Sequence, residues 1–558
     1  QYLYRKYGRE GAALEATVIH WRTRSALRDA GKALGIAPEA IDHLAKAHAW
    51  WDAPEDWGQH LQGVGLNPED ARVQRWLLMA QELIDLPRHL SQHVGGFVIA
   101  ERAVADLVPG ENAAMPERSI IQWDKDDLES LGLLKVDVLA LGMLSAIRRT
   151  LDSLRRFHGT AMTMQDIPRE DPATYAMLCR GESLGVFQVE SRAQMNMLPR
   201  LRPRTLYDLT IQVAIVRPGP IQGGMVHPFL RRRQGLESDT PPDARLSEVL
   251  GRTSGVPIFQ EQVMQIVMVA AGFSAGEADQ VRRSMAAWKR KGGLEKYRDK
   301  LMAGMAARDY DPAFAEQIYQ QILGFGAYGF PESHAASFAL LAYVSAWLKC
   351  HHPAAFICGL LNSQPMGFYP PSMLVREAQR MGVSVQPVAV QHSEWDSHLE
   401  PDAQGQPTLR LGLRQVEGFN EAAAQRLGAA RHLRPFDSLN DLVRRARLDA
   451  RERNALARAD ALATLAGHRH QARWAVLGLQ PADDLLQTPA AESRQHSLPP
   501  PSEGADILHD YNSVGLTLRR HPVALLRPQL NRLRVWRNGD LAEVTDGQRI
   551  RVAGLAMF

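Results

Sequence analysis

Residues 122–142 constrain the fold and the chemistry of this chain more than any other segment. Within them, the run Leu-Lys-Val-Asp-Val at 134–138 alternates apolar and charged residues with the period of two that is typical of a β-strand. We therefore expect Lys135 and Asp137 to share one face of a strand. An ammonium group and a carboxylate on a largely apolar strand are costly to bury unless they pair or bind a ligand. Spacing alone leaves two interpretations open, a structural ion pair or a metal-binding carboxylate.

Composition excludes several classes of protein. The 558 residues predict three or four domains at about 150 residues each, and 45% hydrophobic with 23% charged residues is ordinary for a globular protein. Cys179, Cys350 and Cys358 have no paired spacing, which argues against a disulfide framework or a cysteine zinc site and favours the cytoplasm. We find no apolar run of about 18 residues and no signal peptide, so no membrane partner is expected. The net charge of +3 does not by itself indicate nucleic acid, but the basic residues are clustered.

Periodicity and punctuation divide the chain into segments. Residues 17–92 have a helical pattern with a local aromatic core, and residues 95–100, 120–123 and 133–139 are predicted strands. Helical periodicity dominates from 143 to about 365, and short helices are predicted for 410–475. The Pro- and Ser-rich stretch beginning at 487 is typical of a linker. The predicted aromatic core consists of Trp21, Trp50, Trp51, Trp57 and Trp76.

Both ends of the sequence fall inside predicted regular elements. The chain begins without methionine in a predicted helix at 1–8 and ends in an apolar, strand-like run at 549–558. This pattern is typical of a fragment of a longer protein.

Several motifs together resemble one family. Besides residues 122–142, they are Gly-Val-Phe-Gln-Val-Glu-Ser-Arg (185–192), Val-Arg-Pro-Gly-Pro-Ile-Gln (216–222), Phe-Gln-Glu-Gln-Val-Met (259–264), Arg-Arg-Ser-Met (282–285) and Tyr-Gly-Phe-Pro-Glu-Ser-His-Ala-Ala-Ser (328–337). In this order they resemble the bacterial C-family DNA polymerases, the family of the DNA polymerase III alpha subunit. Residues 347–353 and 362–369 look more like the error-prone, damage-induced branch. The alternatives are the replicative alpha subunit or, for these residues alone, a DNA-binding module without catalysis.

The resemblance implies a multidomain, mainly α fold with α/β parts: a partial polymerase-beta-like palm, a helical thumb and fingers, a helix-hairpin-helix region and the start of an OB-fold. It also implies template-directed DNA synthesis from dNTPs on a primer-template, with translesion synthesis in the response to DNA damage as the expected role. The implied segments are the end of the first palm segment (1–16), the thumb (17–92), the second palm segment (93–142), the fingers (143–370), the helix-hairpin-helix region (371–486), a linker (487–510) and a truncated OB-fold (511–558).

The resemblance implies a catalytic role for the charged strand. Carried onto this sequence, Asp137 is the third metal-binding aspartate of the palm and Lys135 is a catalytic neighbour, with Mg²⁺ expected in a two-metal site. The other two aspartates of the family lie in a Pro-Asp-x-Asp-x-Asp-Phe motif, which does not occur in this sequence. The family's Gly-Ser phosphate motif and PHP domain also have no counterpart here. We therefore expect the metal site to be incomplete and these residues alone to be inactive.

Basic clusters supply the candidate substrate contacts. Spacing by four puts Arg24, Arg28 and Lys32 on one helix stripe, which is either a solvated face or, as the resemblance implies for a thumb, a contact to duplex phosphates. The resemblance also assigns triphosphate contacts to cations of the fingers. These candidates are Arg217, Arg282, Arg283 and Lys289, with Arg290 and Lys291 in the same cluster.

Residues 414–420, Arg-Gln-Val-Glu-Gly-Phe-Asn, resemble the hairpin of a helix-hairpin-helix module, whose backbone amides grip a DNA phosphate. Gly418 matches the first glycine of the motif. Asn420 replaces the second, and we expect it to adopt the left-handed conformation that asparagine tolerates. A basic helical run follows, with Arg444, Arg445, Arg447, Arg451 and Arg453.

Other signals have weaker interpretations. Gly-Phe-Gly-Ala-Tyr-Gly at 324–329 fits a dinucleotide fingerprint but follows a predicted helix, so we expect a flexible loop before a helix capped near Ser333. His89 and His93 would share a helix face as a metal pair, although no zinc-protease glutamate follows His89. Residues 482–486 faintly resemble a sliding-clamp pentapeptide, which makes a clamp and other damage-response polymerase accessory proteins candidate partners.

Overall fold

A computed structural model gives the structure of the chain and describes residues 2–47, 66–67, 69–113, 115, 117–138, 142–159, 161–217, 225–238, 243–291, 295–327, 331–367, 369–479 and 497–554. The chain divides into two compact units, Gln1–Leu141 and Gly142–Phe558. The predicted class, multidomain and mainly α with α/β parts, is confirmed. No helix in the described ranges combines the length and the apolar character that a membrane span requires.

The first unit combines a mixed sheet with peripheral helices. Its elements are α1 (Tyr2–Gly11), β1 (Ala12–His20), α2 (Thr23–Ala33), α3 (Pro38–Ala47), α4 (Ala71–Leu83), β2 (Pro87–Ile99), β3 (Gly110–Asn112), β4 (Ser119–Ile121), α5 (Lys125–Ser130) and β5 (Lys135–Asp137). Helix α1, predicted at 1–8, is broken by non-helical dihedral angles at Gly8.

The sheet of the first unit has the strand order β3-β4-β1-β2-β5. Strands β1 and β2 form its antiparallel centre, and β5 pairs with β2 on the outside. The apolar side chains of Ala13, Val98 and Ile121 are buried on the sheet together with Leu128 from α5. Because the described part of β5 pairs only through β2, the charged residues of β5 lie at the rim of the sheet rather than in its centre.

Helices α2, α3 and α4 form a separate small core. Trp76 of α4 is fully buried, and its indole Nε1 donates a hydrogen bond to the Leu27 carbonyl of α2 at 2.8 Å. This satisfies the one polar atom of a large apolar side chain. Of the five predicted aromatic core residues, Trp76 is buried and Trp21 is half-buried, whereas Trp50, Trp51 and Trp57 lie outside the described residues.

The second unit is mainly helical. Its helices are α6 (Gly142–His158), α7 (Pro172–Cys179), α8 (Arg192–Leu201), α9 (Leu206–Ile215), α10 (Val226–Arg233), α11 (Ser247–Leu250), α12 (Gln260–Ala271), α13 (Ala275–Lys291), α14 (Glu295–Ala306), α15 (Pro312–Ala327), α16 (Glu332–His351), α17 (Pro353–Asn362), α18 (Pro371–Arg380), α19 (Glu421–Leu433), α20 (Leu439–Ala446), α21 (Ala450–Arg458), α22 (Ala463–Ala466), α23 (Arg469–Leu477), α24 (Glu503–Ser513), α25 (Pro522–Leu525) and α26 (Arg527–Arg532). Its strands are β6 (Val385–Gln386), β7 (His398–Pro401), β8 (Pro407–Arg410), β9 (Val535–Trp536) and β10 (Arg551–Val552).

One continuous apolar core joins most of these helices, and α16 and α17 run through it. A buried ion pair lies within this core. The Lys349 Nζ is fully buried, lies 2.6 Å from the Glu377 carboxylate and donates to the Leu184 carbonyl at 2.9 Å. Because an ammonium group is buried only when it is paired, these contacts explain how a lysine can occupy the centre of the fold.

One prediction of secondary structure fails in the first unit. Residues 17–92 are not helical throughout, because β1 extends to His20 and β2 begins at Pro87. Apart from Leu14, the apolar residues of β1 are β-branched or small, and the strand pairs with β2, so tertiary pairing decides a segment whose local pattern is ambiguous. The predicted strands at 95–100, 120–123 and 133–139 correspond to β2, β4 and β5.

Two further predictions fail in the second unit. Residues 324–327 continue helix α15 instead of forming a loop, and α16 begins at Glu332 after Pro331 rather than with a cap at Ser333. Residues 328–330 lie outside the described residues. The predicted linker at 487–510 is wrong for its last part, because Glu503–Ser513 is a helix whose first turn is capped by Ser502. Its first part, 487–496, lies outside the described residues.

Candidate active site and nucleic-acid contacts

The charged strand β5 lies beside β2 as the sequence predicts. Lys135 pairs with Val98 and Asp137 pairs with Gly96 across the antiparallel ladder. The Lys135 side chain is 24% exposed, and its Nζ lies 3.3 Å from Oε2 of Glu15. The Asp137 side chain lies outside the described residues, so its binding of a metal ion stays a prediction. Lys135 therefore forms an ion pair with a residue of another strand, and the choice between an ion pair and a metal ligand for Asp137 stays a prediction.

Glu15 is the site residue that sequence reasoning missed. Its side chain is 2% exposed in the middle of β1, where burial of an unpaired carboxylate would be costly. Around it the register jumps, since Leu14 pairs with Phe97 and Ala16 with Gln92. Residues 93–96 therefore bulge opposite Glu15. The available signal was one acidic residue within the apolar run Ala-Ala-Leu-Glu-Ala-Thr-Val-Ile at 12–19.

Gly96 makes the space that the Glu15 carboxylate occupies. A Cβ atom at Gly96 would lie 2.2 Å from Glu15 Oε2 and 2.8 Å from His93 Nδ1. The His93 Nδ1 lies 3.2 Å from the Gly95 nitrogen and 2.5 Å from the Gly96 nitrogen and accepts from both. The His93 imidazole thus holds the bulge through two backbone hydrogen bonds, and the absence of a side chain at Gly96 leaves space for the Glu15 carboxylate.

The predicted pairing of His89 and His93 on a helix is wrong. Both residues are on strand β2, and His89 Nδ1 contacts the Leu90 carbonyl at 2.9 Å whereas His93 holds the bulge. In an extended chain, residues four apart lie about 13 Å from each other, too far to share a metal ion. The strand geometry therefore does not support the predicted metal pair.

The residues present do not complete a metal site. Among the described residues there is no group of three His, Cys, Asp or Glu side chains that could hold a metal ion. The Glu15 carboxylate, which is paired with the Lys135 ammonium group, is not a vacant ligand. Asp137 can supply one carboxylate, and the family's paired aspartates have no counterpart in the sequence. The charged strand by itself therefore supplies too few ligands for a two-metal centre.

Helix α2 presents Arg24, Arg28 and Lys32 on its exposed side, which confirms the predicted stripe as a structural feature. The Arg28 Nη2 lies 3.3 Å from Asp42 in an exposed ion pair. On the same helix, burial acts to raise the pKa of the Asp29 carboxyl, but hydrogen bonds from Trp21 and Arg88 hold this pKa below its usual range. Exposed ion pairs contribute little stability, so Arg28 can exchange Asp42 for a phosphate at small cost.

The predicted triphosphate contacts in the second unit have different surroundings. Arg282 and Arg283 on α13 both bind Asp279, each at 2.8 Å, and the hydrogen bond from Arg282 chiefly lowers the pKa of that carboxyl. Arg217 donates to Gln188 Oε1 at 3.0 Å and to the Val213 carbonyl at 3.3 Å.

The predicted triphosphate cluster extends beyond the side chains that the structure describes. The side chains of Lys289, Arg290 and Lys291 lie outside the described residues, as does the Pro-Gly-Pro turn at 218–220. The contacts given for Arg217, Arg282 and Arg283 therefore leave their nucleotide-binding role a prediction.

The hairpin at 414–420 has a helix-capping role that the sequence did not predict. Gly418 has a φ of +79°, as a tight turn requires of glycine. Asn420 is not left-handed, because its φ is −115° and its side chain accepts from the Ala423 N–H at 2.8 Å as the N-cap of α19. Both residues are exposed, and the Glu417 N–H beside them donates to the Ser513 carbonyl of α24 at 2.8 Å.

Part of the basic run after the hairpin is structural. Arg445 lies 2.9 Å from Asp441 and covers the Phe436 ring with its guanidinium 4.9 Å from the ring centroid. Arg453 is buried and donates to the Leu479 carbonyl at 2.7 Å. Both side chains are engaged inside the module, so they are poor candidates for phosphate contacts.

Comparison with known proteins identifies the family. Residues 1–140 match the model of the bacterial DNA polymerase III alpha NTPase domain, and residues 143–309 match that of the bacterial DNA polymerase III alpha subunit finger domain. Residues 382–472 match the helix-hairpin-helix motif. The chain therefore belongs to the bacterial C-family DNA polymerases, the family of the DNA polymerase III alpha subunit.

Within this family, several similar curated proteins are named error-prone DNA polymerase, as the resemblance predicted. The whole chain is 59% identical over 557 residues to the protein of Alkalilimnicola ehrlichii and covers 54% of it. It is 57% identical to that of Methylococcus capsulatus and 54% identical to that of Pseudomonas aeruginosa, covering 55% and 54% of them. The chain spans about half the length of the curated relatives that it matches.

Proposed function

We propose that this chain is part of a template-directed, error-prone DNA polymerase that acts in translesion synthesis after DNA damage. In the proposed reaction, a primer 3′-hydroxyl attacks the α-phosphate of a dNTP and pyrophosphate leaves. The observation that carries the proposal is the charged strand β5, which lies in the segment matched by the polymerase family model and holds Lys135 and Asp137 beside a buried carboxylate. The names of the relatives favour the error-prone role over the replicative one.

The proposed chemistry of the site begins with Lys135. Its ammonium group offsets negative charge that develops on the triphosphate, and a cation fixed in advance does this with little reorganisation. Glu15 fixes the position of the ammonium group, because its own carboxylate is buried in the space at Gly96 and lies 3.3 Å from the Lys135 Nζ. Divalent metal ions serve DNA polymerases generally, and we propose Mg²⁺ here, with Asp137 as one of its carboxylate ligands.

The proposed DNA contacts come from both units. Residues 17–92 act as the thumb, with the α2 stripe along the duplex phosphates, and the exposed hairpin at Gly418 offers backbone to a phosphate. Residues 93–142 complete the palm after 1–16, and residues 143–370 act as fingers, where Arg282 and Arg283 would exchange Asp279 for a triphosphate. Residues 371–486 bind DNA, and 511–558 begin an OB-fold. A sliding clamp would meet residues 482–486, which lie outside the described residues.

A DNA-binding role without catalysis is the second candidate for these 558 residues by themselves. It is favoured by the sequence, which holds one of the three carboxylates that the family motif supplies. The purified chain is then expected to bind primed DNA and to extend no primer. Extension by the chain alone would contradict this candidate.

Primer extension tests the polymerase proposal. A protein of the relatives' full length that carries these residues is expected to incorporate dNTPs with magnesium, and Asp137→Asn should remove incorporation while DNA affinity stays within about twofold. Asp106→Asn, an exposed aspartate of the same unit, is the matched control. An Asp137→Asn protein with even a tenth of wild-type turnover, on the order of 1 kcal/mol of lost barrier stabilisation, would show that Asp137 holds no metal.

A further inference from the structure

The second unit contains a cleft that none of the predicted site residues lines. It has a volume of about 840 Å³ and lies between the last turns of α6 and the segment that leads into β7. Pockets for small ligands span roughly 300–1,000 Å³, so this cleft has room for a bound molecule. The lining residues that carry the argument below are Arg148, Arg149, Arg156, Phe157 and His158.

The cleft has an excess of arginine, although carboxylates also line it. Asp396 lies 2.7 Å from Arg414, which is outside the lining, and Asp152 lies 2.6 Å from Arg155, which is also outside it. The third carboxylate, Glu394, interacts electrostatically with Arg431 behind the wall. Two of the three lining carboxylates are thus paired with arginines outside the lining.

The arginines of the lining are therefore left in excess. Arg148 is 70% exposed, and its Nη1 reaches Asp152 only at 3.9 Å. Arg149 is 34% exposed and lies 3.2 Å from Asp396, which already has Arg414. Arg156 is exposed one helical turn beyond Asp152. A concave wall with excess positive charge raises the local concentration of anions.

The floor of the cleft is rigid. The Asn362 amide donates to the Ser397 carbonyl at 2.8 Å and accepts from the Ser397 N–H at 2.8 Å, and both residues are buried. Arg149 and Arg414 both donate to the Asn362 carbonyl. A site held in this way loses little conformational freedom when a ligand binds.

Aromatic rings complete the lining. Phe157 and His158 stand edge to face with ring centroids 5.0 Å apart, at the end of the helix that carries the arginines. Arginines for phosphates with aromatic faces for bases are the combination by which proteins hold unpaired nucleotides without regard to sequence. A duplex keeps its base faces stacked inside the double helix, so it cannot stack on the rings of the cleft.

We propose that this cleft binds single-stranded DNA, with phosphates on Arg148 and Arg156 and a base on Phe157. This proposal rests on the proposed function in one respect: the bound strand is the unpaired template of a primed substrate. The contacts are made to phosphates and to base faces, so the site selects single strand over duplex and carries no sequence preference.

The experiment measures binding of the 558-residue chain to labelled oligothymidylate and to a duplex of unrelated sequence by fluorescence anisotropy over a range of salt. The variant R148Q/R156Q removes the two exposed cations. The variant F157L removes the ring and keeps an apolar side chain. The matched control R169Q/R200Q removes two exposed arginines that lie outside the cleft lining.

We expect R148Q/R156Q to weaken single-strand binding at least fivefold and to lower the salt slope by about 1.4, since each phosphate contact contributes about 0.7. F157L should weaken it about fivefold or more with an unchanged slope, because stacking contributes about 1–3 kcal/mol per base. Duplex binding should stay within about twofold in both variants, and the control should match wild type apart from the small effect of net charge.

Each other outcome overturns the cleft in a distinguishable way. If the wild type binds duplex and the cleft variants bind single strand as tightly as the control does, the cleft is not a single-strand site. The proposed function then stays intact. Equal weakening of single strand and duplex makes the arginines general phosphate contacts. Displacement of oligothymidylate by an equimolar oligoglutamate peptide assigns the cleft to an acidic protein segment. Wild type that binds neither form of DNA removes the proposed function as well.

Discussion

The Lys135 ammonium nitrogen lies 3.3 Å from the Glu15 carboxylate across the intervening strand β2, at the place where Gly96 has no side chain. Two charged residues that are 120 positions apart in sequence thus meet on one sheet, and a glycine between them makes the contact possible. A Cβ at that glycine would come within 2.2 Å of the carboxylate oxygen. A side chain at position 96 would therefore displace the carboxylate that pairs with Lys135 at the proposed palm site.

This coupling predicts the behaviour of Gly96→Ala. The added methyl group must displace Glu15 or His93, and overpacking of this kind costs about 1–3 kcal/mol. We expect hydrogen exchange to show faster opening of β1 and β2 in the variant. Gly110→Ala, where the nearest atom to the new Cβ is 3.8 Å away, is the matched control and should change little.

A double variant tests whether the carboxylate is the cause. In a Glu15→Ala background the obstruction by the carboxylate is gone, so Gly96→Ala should cost at least about 1 kcal/mol less there. Equal costs in both backgrounds would mean that His93 or the backbone, rather than Glu15, limits the space at Gly96.

The local pattern of the chain was sufficient to predict the charged strand and the exposed stripe. Alternation over residues 134–138 identified β5, and spacing by four identified the exposed side of α2. Both features depend on residues close in sequence, and the periods of two and 3.6 are visible without tertiary information. The family resemblance then identified the class of protein.

The partner of Lys135 could not be predicted in the same way. Glu15 reaches it only because a bulge in β2 shifts the register, and a bulge depends on pairing between strands that are about 80 residues apart. The strand identity of residues 87–99 depends on the same pairing, which is why His89 and His93 were assigned to a helix. The conformation of Asn420 was also wrongly predicted, since an asparagine before a helix has two good roles and here it caps α19.

The α2 stripe predicts a change in the salt dependence of duplex binding. Replacing Arg24, Arg28 and Lys32 with glutamine should weaken all sequences about equally and reduce the slope of log affinity against log salt by about 0.9 per lost phosphate contact. Anisotropy titrations of the chain on two unrelated duplexes measure this. A variant with Arg169, Arg200 and Arg231 changed to glutamine removes the same charge from exposed residues of the second unit. If both variants show the same slope, the stripe is only a solvated face.

Glu190 predicts a pH dependence of stability in the second unit. Burial raises the pKa of its carboxyl to about 7 from 4.5, although the charge of Lys349 acts in the other direction. The folded state then binds this proton more tightly than the unfolded state does. The stabilisation is fully present below pH 4.5 and is lost as the pH rises through about 7.

The variant Glu190→Gln should remove this dependence, because the amide stays neutral at every pH. Relative to wild type, its melting temperature should rise between pH 5 and pH 8 by about 1–2 °C for each 1 kcal/mol, less than the about 2–4 °C of a 150–250-residue domain because the second unit, Gly142–Phe558, is larger. Glu248→Gln, at an exposed glutamate of the same unit, is the control. A difference from wild type that is constant across this range would show that Glu190 is ionised in the fold at both values.

Helix α24 is held on the helix-hairpin-helix region by a buried arginine, and this attachment can be broken by one substitution. The Arg469 side chain is fully buried, donates to the Asp506 carboxylate at 2.5 Å and its carbonyl at 3.2 Å, and also binds Asp510. Arg469→Met would leave two partly buried carboxylates with Arg519 as the remaining cation, 3.1 Å from Asp506. Removing one partner of a buried pair costs about 3–5 kcal/mol, and we expect the lower end because Arg519 remains.

Hydrogen exchange in Arg469→Met should then show loss of protection in Glu503–Ser513. Arg473→Met, at an exposed position of α23, the helix that carries Arg469, should leave the protection of Glu503–Ser513 unchanged. Adding Asp506→Asn to Arg469→Met should restore part of the protection, since it removes the uncompensated charge. Full protection of this helix in Arg469→Met would mean that apolar packing around Ile507 and Leu516 holds it in place without the ion pairs.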